Sequence, residues 1–204
     1  MKPLARAKER LAPVLDVAGR RRLSLAMLED VTRAATVLDH VWVLHSDDDA
    51  AEAAVRAGGE PRRDATPDEG LNASLAAATE AALREGATGV LIVSADCPAV
   101  TEADVRATAL GEGVVLAPDR TGVGTNALWR MPPATIPTHF GGKSRQAHES
   151  VARGRGVPFA IVARPALALD VDEPRDLDAL AAMGAGAATA AVLSSLGYPA
   201  RAGR

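Results

Sequence analysis

Short, uniformly apolar runs separated by helical stretches constrain this chain more than any other feature. Val41-Trp42-Val43-Leu44, Val90-Leu91-Ile92-Val93 and Val114-Val115-Leu116-Ala117 are apolar throughout and rich in β-branched side chains. A strand that is apolar on both faces must be covered on both faces, which is the habit of parallel sheets. Helical segments lie between these runs. Val17 to about Thr36 carries Leu23, Met27, Val31 and Ala34 at helical spacing, and Ala50 to Ala57 ends at Gly58-Gly59. Leu71 to Leu83 follows, and then Thr101 to Leu110, opened by a capping box of Thr101 and Asp104. The alternation predicts an α/β fold with a mostly parallel sheet between helical layers.

Beyond Pro118 the rhythm changes. Asp119 to Gly124 reads as a glycine-containing loop, Thr125 to Trp129 as a strand, and Pro132 to Gly142 as an irregular segment too rich in proline for regular structure. Gly142 to Arg153 reads as a helix, Phe159 to Val162 as a strand, and Pro174 to Met183 as a helix with proline in its first turn. Residues 1–183 are expected to form a single domain. Residues 184–204, rich in alanine and glycine, are expected to be a weakly held tail with one helix near Ala190 to Leu196. Doubly wound sheets usually begin with a central strand, yet Met1-Lys2-Pro3-Leu4 leads straight toward the first helix, so a first strand is expected upstream of this start.

Composition removes several classes of function. A net charge of -3 argues against a nucleic-acid binder working by bulk charge, and 2% aromatic residues leave nothing to build a base-stacking platform. The lone Cys97 and four scattered histidines offer no zinc spacing. Without a long apolar run or targeting motif, a cytoplasmic protein with no membrane partner is expected.

Four constellations carry the chemistry. Lys2, Arg6, Lys8 and Arg10 crowd cations into a segment that would meet the mouth of the sheet, suited to a triphosphate; a solvated basic start accounts for them equally well. In Asp68-Glu69-Gly70-Leu71-Asn72-Ala73-Ser74, Gly70 allows close approach to a ligand and the following helix offers free N–H groups, although an ordinary acidic helix start has the same look. Asp96, Asp170 and Asp172 lie where apolar runs stop. Mg²⁺ takes one or two carboxylates and fills its shell with phosphate and water, so two such segments brought together would hold it. Asp172 also fits a helix cap. Thr125, with Gly141, Ser144, Lys143 and Arg145, makes an anion pocket or a plain hairpin and capped helix. No nucleophile is evident, and His40, His45, His139 and His148 show no triad pattern.

Taken in order, KPLARAKERL, EGLNASL, SADCPAV, APDRTGVGTNAL, FGGKSRQAH and LALDVDEPRDL cover Lys2 to about Ala182. Together they resemble the 2-phospho-L-lactate or phosphoenolpyruvate guanylyltransferases of coenzyme F420 biosynthesis. The resemblance implies a Rossmann-like nucleotidyltransferase sandwich of the glycosyltransferase-A type with a mixed, mostly parallel central sheet. It implies that GTP is joined to phosphoenolpyruvate or 2-phospholactate with release of pyrophosphate. By the same resemblance Lys2, Lys8 and Arg10 grip the triphosphate, Gly70, Leu71 and Asn72 lie near the guanosine, and Thr125, Gly141 and Ser144 bind the acceptor acid. Asp96 and Asp172, with Asp170 beside them, resemble ligands for Mg²⁺. A transient partner is implied as well, the next transferase of the pathway. The chain departs from the family pattern in Cys97 and Glu173, where leucine and threonine are usual. Other nucleotidyltransferases of this fold, of the molybdopterin or sugar-phosphate type, and a non-catalytic GTP-binding module are the alternatives.

Overall fold

Asp16 opens the longest helix: its carboxylate accepts from the Gly19 N–H at 2.7 Å, and α1 follows as Val17–Ala35. In the computed structural model, which describes residues 8–198, the order continues β1 (Trp42–His45), α2 (Asp48–Arg56), β2 (Glu60–Arg63), α3 (Leu71–Arg84), β3 (Val90–Val93), α4 (Glu102–Thr108) and β4 (Gly113–Ala117). Then come β5 (Ala127–Met131), α5 (Ser144–Gly154), β6 (Phe159–Ile161), α6 (Pro165–Ala168), α7 (Pro174–Met183) and α8 (Ala187–Ser195). The Thr101–Asp104 capping box expected from the sequence is present at α4.

Four strands form a mixed sheet in the order β3-β5-β4-β6. Strand β5 is antiparallel to both neighbours while β4 and β6 are parallel, so β3, β4 and β6 share one direction. The sheet is mixed, as anticipated, but β5 inserted between β3 and β4 leaves β4–β6 as its one parallel pair among the described residues, so it is less parallel than the alternation of runs predicts. A separate parallel pair, β1-β2, makes a second sheet among the described residues. Strand β2 escapes the apolar-run criterion because it reads Glu60-Pro61-Arg62-Arg63; Pro61 is tolerated on an edge, and the Arg62 guanidinium lies 4.1 Å from the Trp42 ring centroid.

Alternation along the strands builds two cores on the four-stranded sheet. Ala117 and Ala127 face Val31, Ala34, Val100 and Val105 from α1 and the α4 region, whereas Val114, Leu116 and Leu128 face Ile136 and Ala152 on the α5 side. A third core joins α1, α7 and α8 through Leu23, Met27, Leu177, Leu180 and Leu193, with Leu169 and Val171 beneath.

The segment after Gly184, expected to be weakly held, is packed within the described residues. Asp30, buried on α1, accepts from Ala188 N at 3.0 Å and Thr189 N at 2.8 Å, capping α8 across more than half the chain. Leu193 of α8 is 1% exposed. Composition misleads here because small residues let α8 lie close to α1; a Cβ at Gly186 would run into Asp30.

Candidate active site

Ser94 follows β3 directly, its N–H donating to Asn126 O at 2.8 Å, and Asp96 lies in the turn beyond the C-terminal end of that strand. The segment carrying Asp170 and Asp172 is held beside it by one main-chain bond, from Val171 N to Asp96 O at 3.0 Å. Val171 is fully buried in the core and is flanked by two half-exposed aspartates. One apolar side chain therefore anchors the segment while its neighbours stay available to the crevice.

Lys8 joins the two acidic segments. Its Nζ donates to Asp96 Oδ2 at 2.6 Å and to Asp172 Oδ1 at 2.8 Å. The residue takes a left-handed backbone, φ 55°, which turns the chain into a short 3-10 turn at Glu9–Leu11 whose Leu11 is fully buried. Burial of the ammonium acts to lower its pKa, but the charges of Asp96 and Asp172 and the bonds to them prevail, holding it above the ordinary lysine value. The sequence placed Lys8 with a triphosphate; the structure pairs it with both principal carboxylates. Lys2 lies outside the described residues. Arg10 is exposed, 3.6 Å from Glu173 Oε1.

Asp172 sits on a braced turn. Asp176 accepts from Asp172 N at 3.0 Å and Glu173 N at 2.8 Å with one oxygen, and from the Arg120 guanidinium with the other. Asp176 is 3% exposed. Burial pushes its pKa up, but the Glu173 N–H, Arg120 and the Asp172 N–H outweigh it, and the carboxyl sits below the usual range. Asp170 is held differently: Asn126 Nδ2 donates to its Oδ1 at 3.2 Å and to Leu167 O at 2.9 Å. Burial raises the Asp170 pKa, with Asp96 and Asp172 adding to it against the Asn126 bond. Cys97 is buried, donates to Leu167 O at 3.4 Å, and its thiol is pushed well up by burial and then by Asp96 and Asp170, so it is no nucleophile.

These donors suit Mg²⁺. Two carboxylates touch one common cation, the Lys8 ammonium, and among the described residues no group of three acidic, histidine or cysteine side chains is placed to hold an ion. Mg²⁺ accepts such a sparse set because phosphate and water complete its shell.

The second half of the site gathers Thr125, Gly141 and Ser144. Asp119 folds the loop before Thr125, accepting from Val123 N and Gly124 N, both at 2.9 Å. Burial works to raise the Asp119 pKa, but the Gly124 N–H, the Thr121 hydroxyl and the Val123 N–H bring it below the usual value. Ser144 Oγ donates to Thr125 Oγ1 at 3.0 Å, and His148 Nδ1 lies 3.3 Å from the same oxygen. Asn72 exchanges two bonds with Phe140, Nδ2 to the carbonyl at 2.9 Å and Oδ1 from the N–H at 2.8 Å, so it pins the loop that carries Gly141. Gly70, at φ 89°, and Gly141, at φ 137°, both border open space, and Leu71 is exposed. The structure brings together Thr125 and Ser144, both named from the sequence, with His148, which sequence reasoning passed over along with Asn126, Asp119 and Asp176. Only Asp176 had a local signal, three residues after Glu173 at the head of a proline-started helix.

Residues 1–203 match the protein family described as "Guanylyl transferase CofC like". The chain is 41% identical over 184 residues to the phosphoenolpyruvate guanylyltransferase of Sphaerobacter thermophilus, covering 87% of this chain and 88% of that protein. It is 40% identical over 190 residues to the phosphoenolpyruvate guanylyltransferase of Rubrobacter xylanophilus, covering 90% and 92% respectively. Among solved structures, a nucleotidyl transferase from Methanothermobacter aligns with a TM-score of 0.58 at 21% identity, over 76% of this chain and 78% of that one, a likeness of fold.

Proposed function

This chain belongs to the CofC-like guanylyl transferase family, and from that premise we propose that it joins GTP to phosphoenolpyruvate, releasing pyrophosphate, as a step in coenzyme F420 biosynthesis. The observation that carries the reading is the meeting of Asp96 and Asp172 on one cation at the crevice beyond β3, where open α/β sheets bind ligands. Phosphoenolpyruvate is favoured over 2-phospholactate because the relatives at 41% and 40% identity are named for it.

A phosphate oxygen of the acceptor forms a new bond to the α-phosphorus of GTP, while the bond from that phosphorus to the bridging oxygen of the β-phosphate breaks and pyrophosphate leaves. The attacking oxygen is already an anion, so no general base is required. That agrees with a site whose thiol is kept protonated and whose buried imidazole is kept neutral and weakly basic. The protein's task is to bring three strongly negative groups together and offset their charge. Asp96 and Asp172 would hold Mg²⁺, with Asp170 adding negative potential from its Asn126 tether. When bound, Mg²⁺ supplies charge neutralisation at the phosphate oxygens. Lys8 keeps a cation beside those carboxylates, and the exposed Arg10 adds positive charge for the triphosphate, the role the family resemblance also gives Lys2. Gly70 and Leu71 offer an open surface to the guanosine, and Asn72 steadies the loop between the two substrates. Thr125, Gly141 and Ser144 receive the acceptor acid. The reaction belongs in the cytoplasm, and the anhydride product passes to the next transferase by transient contact.

The test is pyrophosphate release from GTP with Mg²⁺ and each acid side by side. Release with phosphoenolpyruvate, weaker release with 2-phospholactate and none without an acceptor is expected. Release driven by a sugar phosphate or molybdopterin, or none under any acceptor, would overturn the proposal.

A further inference from the structure

His148 is fully buried on α5, yet neither ring nitrogen is idle. Nε2 accepts the main-chain N–H of His139 at 2.8 Å. A nitrogen that accepts from an amide carries no hydrogen, so the single hydrogen of the neutral ring resides on Nδ1. Burial, and then the charges of His139 and Arg130, lower the His148 pKa to about 4, against a main-chain bond to Ser144. The ring is therefore neutral at physiological pH.

Nδ1 faces Thr125 Oγ1 at 3.3 Å, and that oxygen is also 3.0 Å from Ser144 Oγ. Thr125 is 6% exposed and Ser144 2%. The two hydroxyls carry one hydrogen each, and the contact between them uses one, whichever way it runs. The other hydrogen has no acceptor in His148, because Nδ1 bears a hydrogen of its own. It is left for a ligand. With the opposite tautomer, Nδ1 would accept it and the pair would offer a ligand only lone pairs, which repel an anion.

We propose that His148 is a positioning residue whose Nδ1–H tautomer, fixed by the His139 N–H, makes the Thr125–Ser144 hydroxyl pair a hydrogen-bond donor to the anionic acceptor substrate. The inference rests on the reading that Thr125 and Ser144 hold that acceptor. It explains why a buried imidazole sits behind a site with no acid–base step: the ring sets the polarity of the pocket rather than moving a proton.

Steady-state kinetics on the full chain test it with His148→Asn and His148→Leu, alongside Ser144→Ala. The asparagine amide N–H can stand in for Nδ1–H; leucine offers no donor. Without the Nδ1–H donor the Thr125 hydroxyl is no longer held in one orientation and its pair's spare hydrogen is no longer aimed at the acceptor, so the KM for phosphoenolpyruvate should rise about tenfold in His148→Leu, with the KM for GTP unchanged, and His148→Asn should recover most of it. Equal rises in both KM values, or no recovery in His148→Asn, would overturn the proposal. If His148→Leu does not fold, His148→Asn decides together with long-range proton–nitrogen NMR of the wild-type ring at neutral pH. An Nδ1–H pattern supports the proposal and an Nε2–H pattern overturns it. Should Ser144→Ala leave the phosphoenolpyruvate KM unmoved, the acceptor-pocket reading fails instead, a distinct result from failure at His148.

Discussion

Replacing Asp176 should weaken both the start of α7 and the metal affinity of the site, because one carboxylate braces the two. Its carboxylate is 3% exposed and holds the Asp172 N–H at 3.0 Å, the Glu173 N–H at 2.8 Å and the Arg120 guanidinium. Arg120 is half exposed and regains water when the partner is lost, so that bond contributes only about 0–1 kcal/mol. The two main-chain donors face a buried acceptor at a helix start, where losing a cap costs about 0.5–2 kcal/mol and each donor left unsatisfied costs about 1–3 kcal/mol. Asp176→Ala should therefore destabilise by about 3 kcal/mol, lowering Tm by roughly 10 °C in a domain of this size. Asp176→Asn keeps one oxygen for both main-chain N–H groups, though as a weaker neutral acceptor, turns its amide nitrogen to Arg120, and should lose only about 1–2 kcal/mol. Both changes free the turn that aims Asp172. The Mg²⁺ concentration giving half-maximal rate should rise, by about tenfold in Asp176→Asn, the scale seen when a residue orienting a metal ligand is removed. The thermal upshift on adding Mg²⁺ with GTP should shrink in parallel. Since the folded pKa of Asp176 lies below its unfolded value of about 3.9, its stabilisation is complete above that pH and disappears as pH falls through the folded pKa. The wild type should thus lose more stability than Asp176→Asn on acidification below about pH 4. A Tm unchanged in Asp176→Ala, or a large drop with no change in Mg²⁺ requirement, would refute the reasoning.

Other substitutions probe separate parts of the structure. Asp96→Asn should cut turnover by about 100-fold or more, the scale lost with a charge-stabilising group, while circular dichroism stays native because Asp172 still pairs with Lys8; near-native turnover would remove Asp96 from the site. Asp30→Ala leaves two main-chain N–H donors at the head of α8 without their carboxylate acceptor and should cost about 2–4 kcal/mol, with amide exchange rising first across 187–195. Unchanged protection there would mean that α8 is held by apolar contacts alone.

The fold was legible wherever one segment carried its own signal. Strands β3 and β4 announce themselves as apolar runs, and α4 by its capping box. Strand β2 is polar and exists through pairing with β1, so it does not declare itself locally; the helix expected near Ala190 to Leu196 is there as α8, but its anchoring by a carboxylate 158 residues earlier was not legible. In the site, Asp96 and Asp172 stood out where apolar runs stop, Thr125 just after a glycine-containing loop and Ser144 at the start of a helix. The bond from Val171 N to Asp96 O and the reach of Lys8 across 88 and 164 residues are tertiary facts. His148 was invisible for a similar reason: its meaning lies in a tautomer set by the main chain of His139.

Phosphorus NMR of the purified protein with GTP, phosphoenolpyruvate and Mg²⁺ tests the central claim most directly. Guanylyl transfer requires a new pair of coupled diphosphate resonances from the phosphoanhydride, growing in equal amount with pyrophosphate and absent when Mg²⁺ is chelated or Asp96 is changed to asparagine. Pyrophosphate or GDP accumulating with phosphoenolpyruvate unconsumed, or an adduct forming equally well in the Asp96→Asn protein, would contradict it.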